Sequence, residues 1–320
     1  MSPARGVLPV AEAIQRREGR AMASPLSLAL VGPSGHDDAI DSAWTVVVDE
    51  FAATDRALSR FRADSEVSVL NRAALRGEGR PVGWRLALAA HACDRAHRLS
   101  GGRFDPRILD LLDEWGYHGA DLGAAGGTTA LGAAGPLVER LDEHRIRLPA
   151  PIDLGGIGKG LAVRWAADRL RRAGVSRFLI DAGGDIATDG PGPDGDPWRI
   201  GIEDPMGRSE PLAVIAITGG AVATSSVRRL HWTRDGVARH HLVDPATRAP
   251  ADGGLLAVTV AQADPAWAEV WAKVLFIAGR AKIADEARGR GWAAWWVASD
   301  GSLEMTPAAR QQTMWVRGEG

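Results

Sequence analysis

Cysteine is nearly absent: Cys93 stands alone among 320 residues. One thiol cannot form an internal disulfide, so no disulfide framework carries the fold. That usage fits a reducing compartment. Cys93 lies in a helix-like stretch, Leu86 to Leu99, where a small packed residue is expected rather than a nucleophile. Long apolar runs are missing too. A membrane-spanning helix needs about 18 or more consecutive apolar residues, and no such run occurs. The patch Leu26 to Val31 is too short for the apolar region of a secretion signal and ends at Gly32-Pro33. No membrane insertion is expected, and the default compartment is the cytoplasm. Nor is there an excess of either charge. The formal net charge is −2, so no global basic field invites nucleic acid, and none is expected as a partner.

What is present is ordinary for a globular protein: 45% hydrophobic and 24% charged residues, enough for a sizeable core. The length suits one large domain or two small ones. Residues 1–20 carry charge throughout and read as a polar helix or a frayed arm ahead of a domain over 21–320. Leu26 to Val31 reads as a short strand closed by the turn Gly32-Pro33-Ser34-Gly35. Apolar spacing predicts helices over Asp37–Leu58, Leu86–Leu99, Pro265–Ala278 and Lys282–Arg288. Strands are expected at Arg177–Ile180, Trp198–Ile202, Leu212–Thr218, Ala221–Thr224, His240–Val243, Leu255–Ala261 and Trp292–Val297. The Gly-, Ala- and Thr-rich stretch Gly119 to Gly135 reads as a surface loop, and Asp181 to Trp198 as a second loop-rich stretch. Helices prevail early and strands late without separating, which predicts one mixed α+β domain.

Chemistry concentrates in a few segments. Asp153-Leu-Gly-Gly-Ile-Gly-Lys-Gly160 leads into a helix pattern. Glycines at a helix entry let the backbone approach a ligand, and the exposed N–H groups with the helix dipole suit phosphate. Neither the P-loop nor the Rossmann spacing is matched, and a tight turn packing helix on sheet explains the same glycines. Ser100 to Pro106 and Asp181-Ala-Gly-Gly-Asp-Ile186 also read as turns. Ala223-Thr-Ser-Ser226 offers three hydroxyls in a row. His241 and Asp244 stand three residues apart, and such a histidine is either a satisfied hydrogen-bonding group or a catalyst. In Ala266 to Ile277 only Glu269 and Lys273 are polar, and their i, i+4 spacing puts them on one helix face. They form either an exposed ion pair or a buried polar site facing a ligand.

Taken in order, these segments resemble the ApbE family, the FAD:protein FMN transferases. The matching stretches are Met22-Ala-Ser-Pro25, Ser59-Arg-Phe61 with Ser65-Glu66 to Asn71, Gly101-Gly-Arg-Phe-Asp-Pro106 with Trp115-Gly116, Asp153 to Gly160, Ala182-Gly-Gly-Asp185, Ile202-Glu-Asp-Pro205, Ala223-Thr-Ser-Ser226, His241-Leu-Val-Asp-Pro245 and Ala268 to Gly279. The resemblance covers about residues 22 to 280. It implies a T-fold-like architecture. It also implies cleavage of FAD at the pyrophosphate and attachment of FMN to a Thr or Ser of a partner flavoprotein, with release of AMP. By the same resemblance, Ser59, Arg60, Phe61, Asn71, Gly102, Phe104, Asp105, Asp153, Gly156, Lys159 and Gly160 line the FAD site. Thr224, Ser225 and Ser226 lie at the flavin or phosphate end. His241 is the general base for the incoming hydroxyl, Asp244 orients its loop, and Lys273 joins the catalytic set.

One departure stands out. The family holds Mg²⁺ through a backbone carbonyl near the position of Gly158, an Asp, and a Thr four residues later. Here those side chains are Glu269 and Lys273. Lysine supplies no oxygen to Mg²⁺, which demands oxygen ligands. Either the Lys273 ammonium partly replaces the metal, or Mg²⁺ binds weakly through Glu269 and the Gly158 carbonyl. Two rival functions keep the same ligand: an FAD pyrophosphatase using water as acceptor, and a non-catalytic FAD carrier.

Overall fold

The computed structural model describes residues 12–33, 37–120, 131–132, 135–228 and 230–318. Its centre is one sheet of eight strands: β1 Glu12–Ala21, β2 Ser24–Pro33, β3 Phe178–Ala182, β4 Asp185–Asp189, β5 Gly220–Ser226, β6 Leu255–Gln262, β7 Ala293–Ala298 and β8 Leu303–Met305. They lie side by side in chain order. Every neighbouring pair is antiparallel. The sheet is therefore a meander whose connections carry the helices. Between β2 and β3 lie α1 Asp37–Leu58, α2 Glu66–Ala74, α3 Trp84–Leu99, α4 Leu109–Glu114 and α5 Gly158–Arg172. Between β6 and β7 lie α6 Pro265–Ala278 and α7 Arg280–Gly289, and α8 Pro307–Gln312 follows β8. The mixed α+β class read from the sequence is the class found.

The sheet buries both faces. Leu26, Leu28 and Leu30 of β2, with Phe178 and Ile180 of β3, pack against α1 and α5 through Ile40, Val47, Phe51, Val163 and Leu170. With Ala43 and Ala166 these helical residues recur at three- and four-residue steps, which is why the segments fold as amphipathic helices. The opposite face places Ile186, Val222 and Trp295 against a small antiparallel sheet of strands Trp198–Ile202, Ala213–Ile217 and Thr313–Val316. Cys93 is buried in α3, as expected, and burial pushes its thiol well above the ordinary range.

Four expectations fail, each for a physical reason. Within 12–20 the expected polar helix or arm is the edge strand β1, paired residue for residue with β2. Its side chains are only partly buried, so no apolar alternation marks it. Its turn, Met22-Ala23, adopts φ of 47° and 60° without the Gly or Asn that usually announces such a hairpin. Asp181–Trp198 is not all loop: Gly183 and Gly184, with φ of 67° and 96°, close a two-residue hairpin from β3 into β4. The strand expected at His240–Val243 is broken at His241-Leu242, between Val237–His240 and Val243–Asp244. Gly32 and Pro33, expected to open a turn, are instead the last residues of β2, paired with Ala13 and Glu12; residues 1–11, Ser34, Gly35, 121–130 and 133–134 of the expected arm, turn and loop fall outside the described residues.

Helices α5 and α6 meet at their first turns. Helix α6 starts at Asp264, whose Oδ1 accepts the N–H groups of Ala266 and Trp267, with Pro265 at the first helical position. A Cβ on Gly160 would lie 2.6 Å from the Pro265 carbonyl oxygen and 2.7 Å from Ala266 Cα. Only glycine lets the first turns of α5 and α6 touch backbone to backbone.

Candidate functional site

At that contact α6 caps α5. Helix α5 has no side-chain cap of its own. Instead Glu269 Oε2 accepts the Gly160 N–H at 2.8 Å, so a carboxylate from another helix meets the positive end of the α5 dipole. The other Glu269 oxygen takes two ammonium groups, Lys273 Nζ at 3.1 Å and Lys159 Nζ at 3.3 Å. Lys159 also donates to Asp185 at the start of β4. Glu269 and Asp185 are buried. The Glu269/Lys273 pair is thus the buried alternative, not an exposed surface pair.

Burial drives the Glu269 carboxyl upward, yet Lys159, Lys273 and the Gly160 N–H overcome it and hold the acid below its ordinary range. Asp185 is pushed upward, by burial first and by the charge of Glu269, against the pull of Lys159. Lys159 loses stability from burial but gains more from Asp185 and Glu269, so its ammonium is held well above the ordinary range.

A second ion pair borders this nest. Arg60, just past α1, reaches Asp153 Oδ2 at 2.8 Å and Asp113 Oδ1 at 3.2 Å, and donates to the Tyr117 carbonyl at 2.6 Å. Its guanidinium lies 4.8 Å from the ring centres of both Phe61 and Tyr117. Tyr117 in turn stacks on Trp232 at 5.3 Å, and Phe61 is 52% exposed at the open end of this aromatic row. Asp153 accepts the Gly155 N–H at 2.7 Å. Burial raises its carboxyl above the ordinary range, although Arg60, that N–H and Lys273 pull it down. Gly156 is where the two pairs meet. A Cβ there would lie 2.9 Å from the Phe104 ring and 3.6 Å from Lys273 Cδ.

His241 completes the group. Its Nδ1 faces the Leu230 carbonyl oxygen at 3.3 Å. Burial, then the charge of Lys273, pushes the imidazole down to about 3. At neutral pH the ring is uncharged, and with Nδ1–H donating to Leu230 the other nitrogen keeps its lone pair.

Other candidates sit elsewhere or are already engaged. Ser225 shares the α6-facing side of β5 with Ala221 and Ala223, and its hydroxyl is buried with no partner among the described residues. Thr224 and Ser226, one step away on either side, face the other way; Thr224 bonds Thr259 Oγ1 at 2.9 Å. The expected row of three hydroxyls at one ligand is therefore a single hydroxyl, because strand side chains alternate. Asn71 is buried with both amide atoms spent on Ile152, donating to its carbonyl at 2.8 Å and accepting its N–H at 2.9 Å. It holds the segment leading into Asp153 instead of lining a cavity. Asp105 is taken up by Arg107, at 2.9 and 2.6 Å, and by the Gly132 N–H at 3.1 Å. Ser59 ends α1, and Gly102 turns the chain after α3 with φ of 86°. Asp244 accepts the Ala246 N–H at 2.9 Å within its own turn.

Asp113, Arg107 and Tyr117 were not singled out from the sequence, and Asp185 entered only as the end of the matching stretch Ala182-Gly-Gly-Asp185, with no role assigned. The signal for Asp185 was present, an acid directly after paired glycines. The others are visible only as spatial neighbours. A cleft of about 620 Å³ opens beside Asp204, Arg208, Glu210 and Arg228 and contains none of the candidate side chains.

The residues present do not fit Mg²⁺. Glu269 is covered by two ammonium groups and a backbone N–H, and a divalent ion on the same oxygen would meet Lys273 at close range. Among the described residues no group of three or more His, Cys, Asp or Glu is arranged for a metal. The ligand pair Gly158 and Glu269 expected for Mg²⁺ is replaced by this cation nest, and Gly158 opens α5 with its N–H on the Leu154 carbonyl at 2.8 Å.

Two ammonium groups gather beside a helix N-terminus on the carboxylates of Glu269 and Asp185. The chain belongs to the ApbE family, whose model matches residues 22–296. It is 25% identical over 303 residues to the FAD:protein FMN transferase of Salmonella typhimurium, covering 90% of this chain and 85% of that protein. It is 31% identical over 267 residues to an FAD:protein FMN transferase of Klebsiella pneumoniae, covering 80% and 79%. Among solved structures, the ApbE protein of Thermotoga maritima superposes with a TM-score of 0.81 at 25% identity, covering 95% of this chain and all of that one. The apo flavinyl transferase ApbE of Pseudomonas stutzeri gives 0.78 at 25% identity, covering 95% and 98%.

Proposed function

We propose that this chain is an FAD:protein FMN transferase. The observation that carries the reading is the Lys159–Lys273 nest on Glu269 and Asp185 at the N-terminus of α5, in a chain of this family. FAD lies with its pyrophosphate against the nest, and a flat ring can stack on the exposed Phe61 edge. The acceptor hydroxyl oxygen attacks the flavin-side phosphorus. A new P–O bond forms, the bond from that phosphorus to the bridging oxygen breaks, and AMP leaves with the bridging oxygen and its electron pair. Lys159 and Lys273 neutralise the charge that grows on the phosphate oxygens.

His241 accepts the hydroxyl proton. With its pKa near 3 it is a weak base in the ligand-free protein, and the pyrophosphate dianion raises its basicity by screening the two lysines. Asp153, Arg60 and Phe104 hold the glycine turn in place around the ligand.

The acceptor is a partner flavoprotein presenting a Thr or Ser. No helix among the described residues is long and apolar enough to cross a membrane, and the cytoplasm remains the proposed compartment. The test is incubation with FAD and an acceptor peptide, followed by mass spectrometry. FMN bound to the peptide with an equal amount of AMP supports the reading. Free FMN with AMP makes the chain a pyrophosphatase, and FAD binding without AMP makes it a carrier.

A further inference from the structure

Lys273 is an ammonium group with too few partners. It projects from α6, which is apolar from Ala266 to Ile277 except for itself and Glu269. Its side chain is only 15% exposed. An ammonium carries three donors, yet among the described residues its one acceptor is Glu269 Oε1. Lys159, by contrast, holds two carboxylates. This half-buried cation keeps donors that water or a ligand can take up.

The surroundings say what that is. The Lys273 stem passes Gly156, where a Cβ would lie 3.6 Å from Cδ, so the side chain runs beside the glycine turn. Its field reaches Asp153, Asp185 and His241 on three other segments. A ligand that completed this ammonium would lie beside the glycine turn and, to be favoured by its charge, would be anionic.

We propose that Lys273 is the resident cation of this site. Parked on Glu269 when the site is empty, it transfers its free donors to the pyrophosphate oxygens when FAD arrives and does the work of a divalent ion. This deepens the transferase reading and rests on it. It also predicts that the chain needs no divalent metal to hold FAD. Carboxylate-bound Mg²⁺ would have to displace the ammonium, losing a charge-assisted hydrogen bond to gain an ion its neighbour repels.

The test uses the full chain, stripped of metal, with FAD binding followed by flavin fluorescence and Mn²⁺ binding by electron paramagnetic resonance. The wild type binds FAD equally well in EDTA and in excess Mg²⁺, and takes up no Mn²⁺. Lys273→Met loses FAD affinity by roughly 10- to 100-fold, the value of a charged hydrogen bond. Lys273→Arg keeps most of it. Lys273→Thr loses affinity in EDTA, recovers it with Mg²⁺ and binds Mn²⁺. Thermal melts of each variant without ligand separate loss of fold from loss of binding. Wild-type affinity that collapses in EDTA, Mn²⁺ bound by the wild type, or unimpaired FAD binding by Lys273→Met overturns the proposal. If no variant binds FAD under any condition, the transferase reading fails instead. The Mn²⁺ contrast between wild type and Lys273→Thr then still reports on which cation the site was built for.

Discussion

Asp105 and Glu269 are both buried acids, and they make opposite uses of it. Asp105 accepts two bonds from the Arg107 guanidinium, one from the Arg107 N–H and one from Gly132. Burial pushes its carboxyl up, but these donors outweigh it and leave the group below its ordinary range. A bidentate guanidinium two residues away is fixed in place, so this pair is a closed structural unit. Glu269 instead holds two lysines by single contacts on flexible stems. Neither ammonium is clamped by a bidentate pair with Glu269. Burial alone does not mark a functional acid; the geometry of its donors does.

Four substitutions test this contrast. The largest expected effect is Asp105→Ala, which removes the bidentate carboxylate from the buried Arg107 and costs about 3–5 kcal/mol in denaturant unfolding. FAD affinity per folded molecule stays unchanged, and a selective loss of FAD binding would erase the distinction. Gly160→Ala forces α5 and α6 apart at a 2.6 Å contact. It costs about 1–3 kcal/mol of stability and weakens FAD binding as well, because the nest straddles that contact.

Glu269→Gln keeps an acceptor for the Gly160 N–H but releases both lysines. Stability falls by about 1–2 kcal/mol, while FAD affinity in EDTA holds or rises. A metal ligand substituted in this way would instead lose affinity, so the direction alone decides.

The smallest effect concerns pH. His241 has a folded pKa near 3, below its unfolded value. Neutral His241 therefore contributes stability that is fully present above about pH 6.5 and is lost progressively as pH falls toward 3. His241→Gln should flatten the acid side of a Tm-against-pH curve in that window. FAD should raise the histidine titration seen by NMR, and an unmoved titration would place the pyrophosphate away from Lys273.

Local chemistry made much of the fold legible. Apolar spacing delimited α1 and α6 at the ends observed, and the strand Trp198–Ile202 likewise. Edge strand β1 was hidden because nothing in it is deeply buried, and the turn that makes it a hairpin lacks glycine. In the site, the glycine turn, Lys159, Glu269, Lys273 and His241 were legible, and they converge. Asp105, Asn71, Thr224 and Ser226 were singled out by the same motifs, but packing gave them other partners.

The division has one physical cause. Helical periodicity by itself placed Glu269 and Lys273 on one face, since residues four apart are neighbours whatever the fold. It could not say whether that face met water or a second charge. The answer came from Lys159, 110 residues away from Glu269, and from Asp185 on β4. Contacts at such separation exist only once the sheet has formed and α5 and α6 lie together upon it. Spacing alone pairs Glu269 with Lys273; only the packed fold buries Glu269 and shares it between two lysines.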